Sequence, residues 1–356
     1  MKKTNEIGIV AYGSYIPKYF IKGKTIEAAH NKDGANIYKS LGVFQKSVPA
    51  IDEDTVTISV ESANQSIERY LADSKNNLEI KKEIGCLFIG SESHPYAVKP
   101  TGTVVKQALG LSDNISLADL QFACKAGTQA LQICLSYVAS GFAKYGLAIG
   151  SDTAQSKQGD VLEYTAGSGS ASFIVGSENL LAKLLGTVSI ATDTPDFWRR
   201  PGMSYPEHAG RFSGEPAYFS HIYNAATKLM NKLNLEAKDF DYCIFHTPNA
   251  KFPSLIAKKL GFNEDQLSPS LVVKKIGNTY AAASMLAFSA VLDVAKKSQK
   301  IILVSYGSGS GSDAFIFETT KNLETSRNKW NNFVSSQINS MKEIDYQTYI
   351  QNVAEK

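Results

Sequence analysis

AGTQALQICLSYVASGFA, residues 126–143, and IGNTYAAASMLAFSAVL, residues 276–292, decide the fold, because neither stretch holds a single charged side chain. The first reaches the lower length limit of a membrane-spanning helix, about 17 residues. It also carries Thr128, Gln129, Gln132, Ser136 and Ser140, with Gly127 and Gly141 besides. Layers of protein can satisfy those polar groups, whereas lipid cannot. A helix without a polar face is buried all round. Two of them in one chain predict a layered protein with a helical centre, and no membrane span.

Working outward, strand-like runs alternate with helical patterns. IGIVAYGSYI (7–16) is followed by a helix near 55–72, IGCLFIG (84–90), a helix near 101–110, ISLADL (115–120), the first uncharged helix and YGLAIGS (145–151). This alternation predicts α/β layering. The second half replays the order. Val98-Lys99-Pro100 leads into VVKQALGL, and Ala250-Lys251-Phe252-Pro253 leads into LIAKKLGF. IGCLFIG answers to YCIF (242–245), and LAIGS to IILVSYG (301–307). Each half closes on a glycine-serine hairpin, AGSGSASFIVG (166–176) and YGSGSGSDAFIF (306–317). Glu92 precedes Cys124 by 32 residues, and His246 precedes Asn278 by 32 (124 − 92 and 278 − 246). The expected architecture is a duplicated unit, residues 1–190 and 191–320, with a polar tail at 321–356. Two sheets would stack with the uncharged helices between them. Glu92, Cys124, His246 and Asn278 would then converge on one cleft near a pseudo-twofold axis.

Composition agrees with a globular enzyme-sized chain: 356 residues, 43% hydrophobic and 20% charged. The 37 basic and 34 acidic residues leave a net charge of +3, and the basic ones occur singly or in pairs such as Lys81-Lys82 and Lys274-Lys275. No basic stripe exists to neutralise a nucleic-acid backbone. Cys86, Cys124, Cys134 and Cys243 form no CxxC or Cys/His cluster, so neither a metal site nor a redox dithiol is expected. Lys2 and Lys3 precede Glu6 and Gly8, which interrupt any signal-peptide core. The expectation is a cytosolic protein with reduced thiols.

Chemistry concentrates at four positions. Cys124, in LADLQFACKAGTQALQ, lies at a strand-to-helix switch, where free N–H groups and the helix dipole favour a thiolate. Lys125 is expected to add a positive charge, and the small Ala123, Ala126 and Gly127 leave room for a substrate. The other three cysteines sit in apolar runs and read as core. His246 ends the buried run YCIF, where α/β sheets place functional groups. His30, His94, His208 and His221 read as surface or supporting residues. Glu92, in FIGSESHPYAVKP, also follows a strand; a carboxylate entering an apolar cleft exchanges protons near neutrality. Asn278, in KKIGNTYAAAS, is either a helix cap or a hydrogen-bond donor to a substrate oxygen. The glycine-serine segments read as anion cradles or tight turns, and neither matches a P-loop or Rossmann fingerprint.

These motifs, with GDVLEYTAGSGSASFIVG (159–176), RFSGEPAYF (211–219), FHTPNAKFP around His246 and VSYGSGSGSDAF (304–315), make the chain resemble the thiolase superfamily. Within it, the chain is most similar to the archaeal branch of the hydroxymethylglutaryl-CoA synthases. The resemblance implies a thiolase-like αβαβα sandwich and a Claisen-type condensation. Cys124 would carry an acetyl group from acetyl-CoA, Glu92 would remove a methyl proton, and His246 would hold and polarise acetoacetyl-CoA. The product would be 3-hydroxy-3-methylglutaryl-CoA, of the mevalonate pathway to isoprenoids. Asp33, Gly34, Thr165, Ser213, Asn278 and Ser308 match acyl-contact positions, and Arg211 and Lys251 match contacts to the CoA phosphates. Ser213 stands where threonine is more frequent. No cofactor is implied, since the CoA thioesters are substrates. The implied partners are a second copy of the chain, an acetoacetyl-CoA thiolase and a zinc-ribbon/OB-fold bridging protein.

Two other enzymes of the superfamily and one non-enzyme compete. An initiating ketoacyl-carrier-protein synthase also uses a Cys, His and Asn set, but makes its carbanion by decarboxylation and has no use for Glu92. A thiolase needs a second cysteine near the C-terminal glycine-rich segment, where this chain has Ser305-Tyr306-Gly307-Ser308. A non-catalytic acyl-CoA-binding relative would have no reason to keep Cys124, Glu92 and His246 together.

Overall fold

The computed structural model describes residues 6–73, 79–194, 197–200, 202–208, 214–215, 217–309 and 311–353. The first half contributes strands β1 (Gly8–Tyr15), β2 (Ile84–Gly90), β3 (Ser116–Leu120), β4 (Tyr145–Asp152) and β5 (Gly169–Gly176). Its helices are α1 (Thr55–Leu71), α2 (Thr101–Leu109) and α3 (Ala126–Ser140). The second half contributes β6 (Ala182–Ala191), which lies almost wholly before the division expected at 190/191 but pairs with β9, then α4 (Ala217–Leu233), β7 (Tyr242–Phe245), α5 (Lys251–Leu260), α6 (Ala283–Leu292), β8 (Lys300–Val304) and β9 (Gly311–Thr319). The strand order is β7-β8-β9-β6-β1-β5-β4-β2-β3. The two expected sheets are therefore hydrogen-bonded into one. Their joint is short, with only Gly8 opposite Lys183 and Ile9 opposite Ala182.

Strand alternation builds the layers. Along β2, Cys86 and Phe88 face the central cluster while Leu87 and Ile89 face α1 and α2. Along β8, Ile301 and Leu303 face the centre while Ile302 and Val304 face α4 and α5. The central cluster holds α3 and α6 together with the inner faces of both half-sheets. The order is thus helices, half-sheet, helices, half-sheet, helices, the expected αβαβα sandwich. Every residue of α6 is buried, so its uncharged sequence is required on all faces. Helix α1 is fixed at its start by a capping box, in which Asp54 accepts from Thr57 N–H at 2.8 Å and Thr57 Oγ1 accepts from Asp54 N–H at 2.8 Å.

Three expectations need correction. The first glycine-serine segment is no hairpin, because residues 153–168 intervene between the antiparallel β4 and β5. Asn278 does not open α6, since a short 3₁₀ turn, Tyr280–Ala282, separates them. The polar tail is packed into the fold. Lys342–Glu343 pairs with Tyr19–Phe20 beside strand Gln45–Val48, and Leu323, Val334, Met341 and Tyr349 are buried.

Two glycines let the halves meet. A Cβ on Gly127, in the first turn of α3, would lie 2.3 Å from the Ala281 carbonyl oxygen; one on Gly150, in β4, would lie 2.6 Å from the same oxygen. Only hydrogen fits at either place. That contact brings the start of α3 against the turn that precedes α6.

Candidate active site

Cys124 sits two residues before α3, between Ala123, whose φ of 45° is left-handed, and Lys125. A non-glycine residue held there is strained, and such strain clusters at functional sites. The Glu92 carboxyl and the Asn278 amide are the polar side chains that act on the thiol. Burial first, then the charge of Glu92, pushes the thiol well above its ordinary value. The resting group is therefore a thiol rather than the expected thiolate. Lys125 does not offset this, because its ammonium points to Asp313 at 3.0 Å and lies 4.0 Å over the Phe122 ring.

Glu92 follows β2. Burial and the neighbouring Asp152 charge push its carboxyl up, to about 8. Its Oε1 is buried with no hydrogen-bond partner among the described residues. Asp152, the last residue of β4, lies behind it. Asp152 Oδ1 accepts from the Ser91 hydroxyl at 2.7 Å, the Glu92 N–H at 2.8 Å and the Ser93 hydroxyl at 2.7 Å. Its Oδ2 accepts from the Ala281 N–H at 2.8 Å. Asp152 thus ties the Glu92 loop to the turn before α6. Sequence reading passed over it, although a titratable residue at the end of an uncharged strand was the signal that picked out Glu92 and His246.

His246 follows β7 and is 1% exposed. Burial lowers its pKa to about 3, so the imidazole is neutral. Its Nδ1 finds no partner among the described residues, and Tyr218 donates to its backbone carbonyl at 2.6 Å. Asn278 is held by its backbone: its N–H donates to Thr165 O at 2.6 Å, and its carbonyl accepts from Gly167 N–H at 2.9 Å. Its Oδ1 accepts from Tyr280 N–H at 3.0 Å, which turns the amide NH₂ towards the thiol. Asn278 is a donor, and it caps no helix.

Cys124, Thr165, His246, Asn278, Ser308 and Lys251 all line one cavity of about 250 Å³, with Leu41, Leu162, Phe197 and Phe252 as its apolar wall. Lys251 opens α5, whose first N–H groups are taken by the Asn249 side chain at 2.9 Å. A second cavity, about 650 Å³, reaches Glu92 from the opposite side; Phe197, Tyr280 and Ser308 line both. Asp33 and Gly34 do not reach the cavity: both are exposed, and their stretch of chain supplies Ser40 and Leu41 instead. Arg211 and Ser213 lie outside the described residues. His30, His94 and His221 pair with Glu163, Thr101 and Thr192 respectively, in supporting positions. Among the described residues, no group of His, Cys, Asp and Glu is arranged to hold a metal, and no helix is long and apolar enough to cross a membrane.

A thiol, a carboxyl and an imidazole contributed by two halves of an αβαβα sandwich define a condensing enzyme of the thiolase superfamily. Comparison with known proteins narrows this. Residues 230–319 match the family model of the 3-oxoacyl-[acyl-carrier-protein] synthase III C-terminal region. A hydroxymethylglutaryl-CoA synthase of Methanopyrus kandleri is 50% identical over 329 residues, 92% of each chain. That of Methanocaldococcus jannaschii is 52% identical over 322 residues, 90% of this chain and 91% of the relative. Two solved structures share the fold at 22% identity. An HMG-CoA synthase complexed with CoA has a TM-score of 0.85, covering 97% of this chain and 89% of the other; MvaS in complex with 3-hydroxy-3-methylglutaryl coenzyme A has a TM-score of 0.87, covering 99% and 92%. The chain belongs to the hydroxymethylglutaryl-CoA synthase family.

Proposed function

We propose that the chain condenses acetyl-CoA with acetoacetyl-CoA and water to give 3-hydroxy-3-methylglutaryl-CoA and CoA. The observation that carries this is the pairing of the Cys124 thiol with a carboxyl of raised pKa, on the cavity that also holds a neutral imidazole. Cys124 Sγ attacks the acetyl carbonyl. Its proton passes to the departing CoA sulfur, which leaves as CoA–SH. Ionised Glu92 then removes a proton from the acetyl methyl. A carboxylate in water could not do this, and the dry site raises its basicity. Asn278 and the Cys124 N–H are the donors available to the enolate oxygen. The enolate carbon attacks the ketone of acetoacetyl-CoA, which His246 polarises, and the new alkoxide takes the proton from Glu92. Water cleaves the Cys124 thioester, freeing the carboxylate product and restoring the thiol.

Thr165 and Ser308 contact the acyl groups, and Lys251 at the cavity mouth meets the CoA phosphates. Ser213 completes the acyl contacts, and Arg211 the phosphate contacts, once substrate is bound. No cofactor takes part. The setting we propose is the cytoplasm, with the chain as a homodimer that receives acetoacetyl-CoA from a thiolase through a zinc-ribbon/OB-fold bridging protein. Glu92 disfavours the decarboxylating synthase, and the complete Cys124, Glu92, His246 set disfavours a non-catalytic binder.

The test follows acetoacetyl-CoA enolate absorbance after addition of acetyl-CoA, with intact-mass measurement of the protein. Wild type consumes acetoacetyl-CoA. Glu92→Ala gains the acetyl group on Cys124 yet condenses about 10²–10⁴-fold more slowly. Condensation by Glu92→Ala at the wild-type rate would remove Glu92 from its role.

A further inference from the structure

Residues 321–353 supply no group to this scheme, yet two of their side chains reach the framework of the acyl cavity. Tyr349 is fully buried in the C-terminal helix Tyr346–Val353. Its hydroxyl lies 2.9 Å from Lys46 Nζ, which also stands 4.4 Å over its ring. Lys46 is fully buried too, and its ammonium also donates to the Gln155 side-chain oxygen at 3.3 Å. Burial pushes this lysine down to about 7 against the opposing pull of Glu163. A methylene chain ending in methyl would fill the same space without burying an ammonium, so stability alone does not account for a lysine here.

What Lys46 touches gives the account. Its Cβ lies 2.9 Å from where a Cβ on Gly277 would be, directly behind the residue that precedes Asn278. The next residue, Ser47, donates from its hydroxyl to the carbonyls of Ser168 at 2.5 Å and Ile276 at 3.0 Å. One turn before Tyr349, Tyr346 donates to Glu163 Oε1 at 2.8 Å and meets His30 Nε2 at 2.9 Å. Glu163 is fully buried and belongs to the short helix Val161–Tyr164, whose Val161 and Leu162 line the cavity.

We propose that the C-terminal helix is a positioning strap for the acyl cavity: Tyr349 fixes Lys46 behind the Asn278 turn, and Tyr346 fixes Glu163 behind the Leu162–Thr165 wall. This rests on the condensing-enzyme reading and adds two positioning residues to it. Apolar packing of Tyr349 against Ile26, Val48 and Tyr164 would anchor a helix without either hydroxyl. The hydroxyls add direction, since Tyr349 ends on a side chain packed behind Gly277, next to Asn278, and Tyr346 on one in the short helix that carries Val161 and Leu162. Cys124, Glu92 and His246 stand on other elements, and of the chemical groups only the Asn278 amide stands on the strapped wall, where its own Oδ1 is also held by the Tyr280 N–H. Loosening the wall therefore weakens acyl-CoA binding more than it slows chemistry.

The test compares wild type with Tyr346→Phe, Tyr349→Phe and the double variant, each of which keeps the ring and removes only the hydroxyl. KM for acetyl-CoA should rise about fivefold or more in the double variant with kcat within about twofold, the signature of lost uniform binding. Acetylation of Cys124 at saturating acetyl-CoA should remain complete. A KM held at the wild-type value overturns the strap, whatever happens to the melting temperature, because a purely structural tail moves only the latter. If wild type itself takes no acetyl group on Cys124, the condensing-enzyme reading fails first, and the two failures are distinguishable.

Discussion

Glu92, whose Oε1 is buried, and the fully buried Asp152 are joined through a backbone amide, the Glu92 N–H donating to Asp152 at 2.8 Å. Two negative charges cannot both be held cheaply in a dry site, so ionisation of one opposes the other. The sign for the reaction follows. With the Glu92 pKa raised to about 8, the base form is scarce at neutrality and grows as pH rises. Condensation should climb about tenfold per pH unit on the acid side and level off above the inflection. Asp152→Asn removes the neighbouring charge and should move that inflection towards acid. Initial rates across neutrality for both proteins check this, and an inflection that stays in place would refute the coupling. At this scale much of the site was legible. Glu92 and His246 each follow an uncharged strand and Cys124 precedes an uncharged helix; Cys124 and His246 share one cavity, and Glu92 acts on the thiol from an adjoining one. Lys125 misled because adjacency in sequence was taken for adjacency in space. At the start of a helix successive side chains point in different directions, and this one points to Asp313.

Gly127 and Gly150 make the corner at which elements from the two halves touch, and one of them allows an opposed pair of effects to be weighed. Gly127→Ala in the first turn of α3 gains about 1 kcal/mol of helix propensity. Its methyl would sit 2.3 Å from the Ala281 carbonyl oxygen and 2.7 Å from Met285 Sδ. The sulfur can move, but the backbone oxygen belongs to the turn whose Ala281 N–H also donates to Asp152. Overpacking costs about 1–3 kcal/mol, so the clash wins. A lower urea midpoint with slower acetylation of Cys124 is expected; a raised midpoint would show that the turn yields freely. The helices α1, α2 and α3 were readable because each is long enough for its pattern to repeat. The tail was not. Helices Lys321–Arg327, Val334–Ser340 and Tyr346–Val353 bury only one or two residues apiece, too few to set a period against polar neighbours. The glycine-serine hairpin of the first half failed for a related reason. Such a segment marks a turn or a strand start, and nothing local tells which strand it will pair with.

Across the whole molecule, the duplication was visible in the sequence because each half needs its own uncharged helix. The joining of the half-sheets was not visible, since it depends on two residue pairs with no pattern of their own. That slender joint does not hold the halves together; the shared centre does. Phe288 on α6 stacks on Phe173 of β5 at 5.2 Å and on Phe317 of β9 at 5.0 Å, so one ring bridges the two half-sheets. Lys125, just before α3, and Asp313 of β9 add a buried ion pair across the same divide. Neither half can close its inner face alone, because the surface that would cover it belongs to the other half. Phe288→Ala leaves a cavity at that crossing and should cost about 3–5 kcal/mol. If the centre is what unites the molecule, urea unfolding followed by far-ultraviolet circular dichroism and by tryptophan fluorescence should still give coincident curves, displaced to lower urea with unchanged slope. Trp330 packs edge-on against Tyr12 of the first half and so reports on that side. A variant whose two curves separate would show instead that each half carries its own cooperative core, and that the central ring contributes only local packing.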